Sequence, residues 1–274
     1  MNDQLSSRGS RWFKALVGVS VPRDGDPDSV LLADAPLGTD TARFLAVVPN
    51  PHGRFPRARQ GEVGLEEACA LALGVREAIE LDRNHYPRPL VAIVDVKSQA
   101  YGRREEMAAI YLAGALAVDA YATARMQGHP VIALIVGQAF SGALLTHGYQ
   151  ANRILAFDDP GVIVQAMHKK AAARIMRRSE ADFDLLSSKI APLSYAIRDF
   201  DSLGILHSLL HIEHPESPQP DEVELVRSAL IQAIADSRQG PRDLSLRYTS
   251  PKAALSRQAT LLVRKKLAEQ WSEG

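Results

Sequence analysis

Two glycine-containing segments carry the residue types that could do chemistry. The first is QAFSG, residues 138–142, which follows an apolar and mostly β-branched run at residues 131–136. Such a short run is typical of a buried strand, and the small and apolar residues from Gly142 onward are typical of a buried helix. A strand that turns through glycine into a helix leaves backbone N–H groups without carbonyl partners. These N–H groups can hold a carboxylate, a phosphate or an oxyanion.

The second segment is DVKSQAYG, residues 95–102, which follows another apolar run at residues 90–94. Between the two predicted strands, residues 103–126 place their apolar positions on one face, as an amphipathic helix does. Strand, helix and strand in this order predict a βαβ unit. The two polar segments are therefore expected at the ends of adjacent strands.

Further predicted elements surround this unit. Strands are predicted at residues 12–21, 29–33, 43–49, 153–157 and 162–165. Helices are predicted at residues 65–84, 166–177, 179–189, 195–210, 221–237 and 251–271, with a break at Gly204. We expect a loose N-terminus at residues 1–11, one domain at 12–215, and a helical extension at 216–274 that packs on the domain or on a partner.

Composition excludes several classes of protein. The 274 residues contain 32 Lys and Arg against 32 Asp and Glu, so no global charge favours nucleic acid or an anionic membrane. The single cysteine, Cys69, cannot form an internal disulfide, which fits a reducing compartment. No apolar run reaches the roughly 18–20 residues of a membrane span. We therefore expect a cytoplasmic protein.

The residues around both polar segments resemble the crotonase superfamily, and within it the carboxyltransferase branch. Asp95, Gly102 and Glu106 lie where that branch has a comparable Asp/Gly/Glu loop, although Ser98 replaces its first glycine and Lys97 a usual proline. Residues 10–210 resemble the gamma subunit of biotin-independent malonate decarboxylase. The segments that carry this resemblance are RFLAVVP, FPRARQGEVGLEEA, VKSQAYGRREE, VDAYATAR, GHPVIALIVGQAFSGA, HGYQANRILAFDDPG and LGILH.

The resemblance implies an α/β protein with a crotonase-like (ClpP/crotonase) fold of stacked β-α-β units, of the carboxyltransferase type. It implies a beta-subunit partner with the active site at the shared interface, together with an acyl-carrier delta subunit and an alpha transferase subunit. The carrier arm would be phosphoribosyl-dephospho-CoA, on which malonyl thioester becomes acetyl thioester and CO₂. No cofactor bound directly, no biotin and no metal are expected.

The expected chemistry needs donors for an enolate oxygen. Gly142 is expected to supply one N–H group and the loop at residues 100–102 another, with Gly102 chosen because of the resemblance. Ser141 completes the predicted catalytic set. The predicted substrate-binding residues are Ser98, Gln99, Ala100, Tyr101 and Gln138. Asp95 is expected to brace the loop.

Two other classes of function stay open from the residues. The segment GQAFSGA also resembles the nucleophile turn of Clp-type peptidases, with Ser141 as nucleophile and His168 as base, oriented by Asp182, Asp184 or Asp199. Alternatively, His207, His211 and His214 would share one helix face and suit zinc. A basic cluster near the end is a candidate contact for an acidic carrier protein, namely Lys252, Arg257, Arg264, Lys265 and Lys266.

Overall fold

A mixed β-sheet forms the centre of the molecule. The computed structural model describes residues 7–18 and 21–272. In these residues seven strands form one sheet in the order β1-β2-β3-β4-β5-β7, and β6 pairs with the end of β4. The strands are β1 Val30–Leu37, β2 Asp40–Val47, β3 Leu90–Val96, β4 Val131–Phe140, β5 Arg153–Phe157, β6 Ile163–Gln165 and β7 Ser208–Leu210. Only the β1–β2 pair is antiparallel among them, so the α/β class predicted from sequence is confirmed.

Helices lie before, between and after the strands. They are α1 Arg8–Val17, α2 Leu65–Leu81, α3 Arg103–Met107, α4 Ile110–Met126, α5 Ser141–Thr146, α6 Lys169–Ile175, α7 Glu180–Ser187, α8 Ile197–Ser202, α9 Pro220–Gln239, α10 Leu246–Thr249, α11 Pro251–Ser256 and α12 Gln258–Ser272. Helix α2 packs along α4, while α1 contacts both α9 and the sheet. Strands β3 and β4 are almost fully buried and consist of nearly continuous runs of aliphatic residues. Such runs are typical of parallel strands that are buried on both faces.

The prediction of a strand at residues 12–21 is wrong, because Arg8–Val17 is a helix. Trp12, Phe13 and Leu16 lie on its buried face, and this spacing suits a helix better than a strand. The Ser7 hydroxyl accepts a hydrogen bond from the Ser10 N–H group, and Gly18 ends the helix with a left-handed φ of 88°. Both capping residues are readable in the sequence. Residues 19–20 lie outside the described residues.

Three predicted helices are interrupted. Residues 103–126 form α3 and α4, separated by Ala108 and Ala109, and Ala109 has a left-handed φ of 60°. The predicted helix at 195–210 ends at Ser202, and residues 208–210 instead form β7 beside β5. The predicted last helix is divided at Arg257 into α11 and α12.

The C-terminal part of the chain shares the main core. Helix α9 buries Val226, Leu230 and Ile234 in the same hydrophobic cluster as the sheet. It contacts β4, β5 and α1. The boundary between residues 215 and 216 stays a prediction. In the described part of the chain, no helix combines the length and the apolarity that crossing a membrane requires.

Candidate functional site

The two predicted loops meet at one end of the sheet. Strand β3 leads into the loop at residues 97–102, and β4 leads directly into α5. Val96 pairs with Ala139 after an irregularity in the β3–β4 register, and this pairing aligns the two strand ends. The Tyr101 hydroxyl is hydrogen-bonded to the Ser141 hydroxyl across the gap between the loops. The structure therefore brings the two segments together as predicted.

Strand β4 is longer than the sequence predicts. It continues through Gly137 to Phe140, and its last three residues pair with β6. The change from strand to helix is therefore direct and occurs at Ser141, which has a left-handed φ of 59°, rather than through a separate turn over residues 138–142. This conformation is uncommon for a residue with a side chain and is often found at functional sites.

Gly142 has no room for a side chain. A Cβ atom at this position would lie 1.8 Å from Gln99 Oε1. The Gln99 side chain therefore lies directly against the Gly142 backbone, and a residue with a Cβ atom would fit here only if the end of that side chain moved. Because Gly142 is in the first turn of α5, its N–H group has no carbonyl of the same helix to bond.

Two open cavities meet at Gly142. The first, here called the Phe200 cavity, has a volume of about 400 Å³ and a mostly apolar wall that includes Leu144, Val164, Phe200 and Leu203. The second, the Tyr111 groove, has a volume of about 610 Å³ and is lined by Gln99, Tyr111, Val118 and Leu145, among others. Gly142 lines both, and Ser141 lines the Phe200 cavity. A small anionic group could therefore reach Gly142 from either side.

Other predicted residues lie farther from this junction. The Ser98 hydroxyl donates to the Gln99 carbonyl over 2.8 Å, and the Ala100 N–H group donates to the Val63 carbonyl over 2.9 Å. Gly102 has an extended φ of 172° and lines none of the cavities described here. A Cβ atom on it would lie 2.2 Å from the Glu105 carboxylate and 2.6 Å from Arg57, so the protein's own side chains account for this glycine.

Gln138 faces a third cavity, which it shares with Arg8, Asp95 and Lys97. Its N–H group donates to Asp95 Oδ1 over 3.1 Å, and the Gly9 N–H group donates to Asp95 Oδ2 over the same distance. Asp95 thus holds α1 and β4 against the end of β3. These two bonds brace α1 and β4, and the expectation that Asp95 braces the loop at residues 97–102 stays a prediction.

A buried hydrogen-bonded pair beneath the site was missed from the sequence. His147 Nε2 lies 3.0 Å from the Ile93 carbonyl, and His147 Nδ1 lies 3.0 Å from the Tyr121 hydroxyl. Since the carbonyl can only accept, Nε2 carries the proton and Nδ1 accepts from Tyr121. Full burial lowers the pKa of His147 to about 4 and raises that of Tyr121. The neutral imidazole ties the end of α5 to β3 and α4. The histidine inside the largely apolar run GALLTHGY was the available signal.

The arrangement of a serine hydrolase is not formed. Ser141 bonds to Tyr101, whereas the His168 ring stacks on Phe140 with ring centroids 4.3 Å apart. Among the described residues, Ser141 and His168 share no hydrogen bond. The three candidate carboxylates also bind elsewhere: Asp182 to Ser179, Asp184 to Lys169 and Asp199 to Ser194. The nucleophile–base–acid geometry that such catalysis needs is therefore missing in this conformation.

The zinc hypothesis assumes that three histidines share one helix face, and this assumption is wrong. His207 precedes β7, His211 follows β7, and His214 lies in the loop before α9. His207 is 3.7 Å from Asp236 and His214 is 3.4 Å from Glu222. No group of three potential ligands is placed to hold a metal ion within residues 7–18 and 21–272.

Comparisons with known proteins agree on one family. Residues 58–271 match the family model described as the malonate decarboxylase gamma subunit. The chain is 32% identical over 192 residues to the malonyl-S-ACP:biotin-protein carboxyltransferase MADD of Malonomonas rubra, a match that covers 68% of this chain and 62% of that protein. The chain thus spans less than two thirds of the length of this curated relative.

Solved structures give the same result. A Pseudomonas malonate decarboxylase hetero-tetramer in complex with coenzyme A contains a chain that is 52% identical, with a TM-score of 0.93 over 97% of this chain and 100% of that one. The Pseudomonas MdcD–MdcE hetero-dimer matches at the same identity and coverage with a TM-score of 0.90. Transcarboxylase 12S, at 20% identity and a TM-score of 0.59 over 78% of this chain and 38% of that one, shares the fold alone. The predicted crotonase-like fold of carboxyltransferase type is confirmed.

Proposed function

The chain belongs to the malonate decarboxylase gamma-subunit family, and we propose that it forms, with a beta subunit, the unit that decarboxylates malonyl-S-acyl carrier protein. The product would be acetyl-S-acyl carrier protein and CO₂, so the unit is a biotin-independent carboxy-lyase. The observation that carries this proposal is the position of Gly142. Its side-chain-free backbone lies where the Phe200 cavity and the Tyr111 groove meet.

A partner surface lies beside this site. One face of α4 exposes Tyr111, Leu112, Ala115 and Leu116 to solvent, although helices of this kind normally bury their apolar face. Contiguous exposed apolar surface of this kind marks protein–protein contacts. The face continues into the Tyr111 groove, which reaches Gly142. A beta subunit bound to α4 would therefore close the groove over the reacting group.

The chemistry that we assign to this chain is stabilisation of charge. Loss of CO₂ moves the electron pair of the breaking C–C bond into the thioester, which becomes an enolate. An N–H group aimed at the enolate oxygen contributes about 3–4 kcal/mol in sites of this kind. Gly142 supplies that group in our proposal. The apolar wall of the Phe200 cavity favours departure of the carboxylate as neutral CO₂.

Gly102 is proposed as the second backbone donor, and the same proposal includes Ser98, Gln99, Tyr101 and Gln138 as substrate-binding residues. The contacts seen in the free chain support a role in substrate binding for some of these residues more than for others. Gln99 lines the Tyr111 groove and Tyr101 bonds to Ser141, whereas Gly102 and Ser98 need the partner to complete a pocket around them. The Ala100 N–H group already bonds to the Val63 carbonyl and the residue is fully buried, so the contacts of the free chain do not favour Ala100 as a substrate-binding residue.

The remaining partners are also proposals. A delta subunit would carry the substrate on a phosphoribosyl-dephospho-CoA arm, and an alpha subunit would load malonate onto it. A relative of this chain has been seen in a complex with coenzyme A, whose arm has the same general form. A cytoplasmic location fits the single cysteine, Cys69, which can form no internal disulfide.

Co-expression with a beta-type partner tests the proposal. Release of CO₂ from malonyl-CoA is measured for this chain alone, for the partner alone and for the co-purified complex. We expect CO₂ and acetyl-CoA in equal amounts from the complex only. A complex that forms and instead hydrolyses the thioester to free malonate would contradict the proposal. Stoichiometric labelling of Ser141 by a fluorophosphonate would then favour the hydrolase.

A further inference from the structure

Decarboxylation leaves a carbanion that must receive a proton, and the junction at Gly142 holds few acids that could donate one. Asp95 is turned away from the junction, since its two carboxylate oxygens accept from the Gln138 and Gly9 N–H groups. The Ser98 hydroxyl donates to the neighbouring carbonyl. His168 stacks on Phe140, with ring centroids 4.3 Å apart. The Thr146 hydroxyl donates to the Gly142 carbonyl over 2.7 Å, and Tyr149 and Tyr111 line the walls of the two cavities. Tyr101 and Ser141 differ from these because they are hydrogen-bonded to each other directly beside the Gly142 N–H group.

Of these two hydroxyls, the phenol is the stronger acid. The aromatic ring delocalises the negative charge of a phenolate, whereas an aliphatic alkoxide has no such stabilisation. Tyr101 is also about half exposed, at 49% of its full accessible area, so water can return the proton that it gives up. We propose that Tyr101 donates the proton that converts the enolate carbon to the acetyl methyl group, with Ser141 positioning the phenol. This inference rests on the proposed function.

The geometry supports this assignment. Ser141 precedes Gly142 in the chain, and its hydroxyl is hydrogen-bonded to the Tyr101 hydroxyl. If the Gly142 N–H group holds the enolate oxygen, the carbon that needs the proton is only two bonds from that oxygen. The phenol is thus held next to the reacting atoms by the residue adjacent to the proposed oxyanion donor. Ser141 combines this contact with a left-handed backbone, with φ of 59°.

The step balances with one proton from the solvent as the only other reactant. The O–H bond of Tyr101 breaks and a C–H bond forms at the enolate carbon, which leaves a phenolate. The Ser141 hydroxyl then donates its hydrogen bond to that phenolate, and water reprotonates it. Summed over one turnover, a malonyl thioester and one proton from water give an acetyl thioester and CO₂.

The test uses the complex of this chain with its beta subunit and follows the proton transfer in reverse. In D₂O the complex should exchange the methyl hydrogens of acetyl-CoA for deuterium, measured by mass spectrometry. The variant Tyr101→Phe should lose this exchange by about 100-fold or more, which is the usual contribution of a positioned general acid or base. It should still exchange ¹³CO₂ into malonyl-CoA, since forming the enolate and recapturing CO₂ need no proton.

Two further variants separate proton donation by Tyr101 from its positioning by Ser141 and from the general effect of removing a tyrosine hydroxyl. Ser141→Ala keeps the phenol and should lose about tenfold, as expected for one hydrogen bond to a charged group. The exposed Tyr86, which lies under Arg238 before β3, serves as the control, and Tyr86→Phe should leave exchange unchanged. Wild-type decarboxylation with undiminished methyl exchange in Tyr101→Phe would overturn this inference alone. A wild-type complex that releases no CO₂ would instead overturn the proposed function.

Discussion

Gly142 is the residue at which the smallest change should have the largest effect. In Gly142→Ala the new methyl group would occupy the space now held by Gln99 Oε1, 1.8 Å away, so Gln99 or the Gly142 backbone must move. Alanine keeps the N–H group, but the methyl group would crowd the position at which the enolate oxygen reaches it. We therefore expect kcat for CO₂ release to fall by about 100-fold or more, which is the usual cost when one oxyanion donor cannot act. The measurement is steady-state turnover of the complex with malonyl-CoA.

Gln99→Ala provides the matched comparison for this prediction. It removes the obstructing amide, so the double variant should regain the thermal stability that Gly142→Ala loses. If Gly142 matters only for packing, the double variant turns over as fast as Gln99→Ala alone, which lacks the same proposed substrate-binding amide, and the assignment of the Gly142 N–H group is wrong. If the N–H group holds the enolate oxygen, methyl crowding at the junction keeps turnover low.

For individual residues, the sequence predicted which ones lie near the site but not which of them contact each other. The strand-loop pattern and the resemblance placed Gln99, Tyr101, Ser141 and Gly142 in facing loops. The bond from Tyr101 to Ser141 depends on a left-handed backbone at a non-glycine residue, which no local pattern indicates. The packing of Glu105 and Arg57 against Gly102 depends likewise on tertiary contacts.

His147 connects three elements and should make the stability of the fold depend on pH. Its folded-state pKa is lowered from 6.5 to about 4 because burial disfavours the charged imidazolium. Between these values the unfolded chain binds a proton that the folded chain does not, so the free energy of unfolding falls as the pH falls. Below pH 4 the free energy of unfolding is about 3 kcal/mol lower than at neutral pH because of this group. Above pH 6.5 this decrease is absent.

Chemical denaturation at pH 7 and pH 5 measures this effect. His147→Gln cannot titrate, so the difference in unfolding free energy between the two pH values should shrink relative to the wild type. His85→Gln, at an exposed position, is the control and should leave that difference unchanged. An unaltered difference in His147→Gln would falsify the account of a neutral buried imidazole.

Element types were predictable where periodicity was strong, and boundaries failed where single residues decide them. The central strands and helices α2 and α9 follow directly from their apolar patterns. Residues 12–21 were predicted as a strand from a short apolar run. The residues that cap helix α1, Ser7 and Gly18, indicate a helix instead. Strand β7 was mistaken for helix because three residues beside β5 obtain their conformation from pairing rather than from their own sequence.

The exposed face of α4 predicts how the whole molecule associates. Leu112→Asp would place a charge in the proposed contact with the beta subunit, where it would be buried without a partner. We expect the heterodimer dissociation constant to rise by about 30-fold or more, as for a central interface residue. Analytical ultracentrifugation of the mixed subunits measures this constant.

Leu255→Asp is the control for that prediction, since Leu255 is 76% exposed on α11, away from α4. It should leave both association and turnover unchanged. Equal weakening by the two variants would point to a general effect of added charge and would remove the support for α4 as the contact surface.

Helix α9 also determines when the fold can be completed during synthesis. It covers part of the sheet core with Val226, Leu230 and Ile234, yet ribosomes reach it only after every described strand has been made. Until it emerges, the apolar surface beneath it stays in contact with water, and incomplete chains of this kind tend to aggregate. A nascent polypeptide that stalls before residue 220 is therefore destined for chaperones or proteolysis, rather than for assembly as a shorter working subunit.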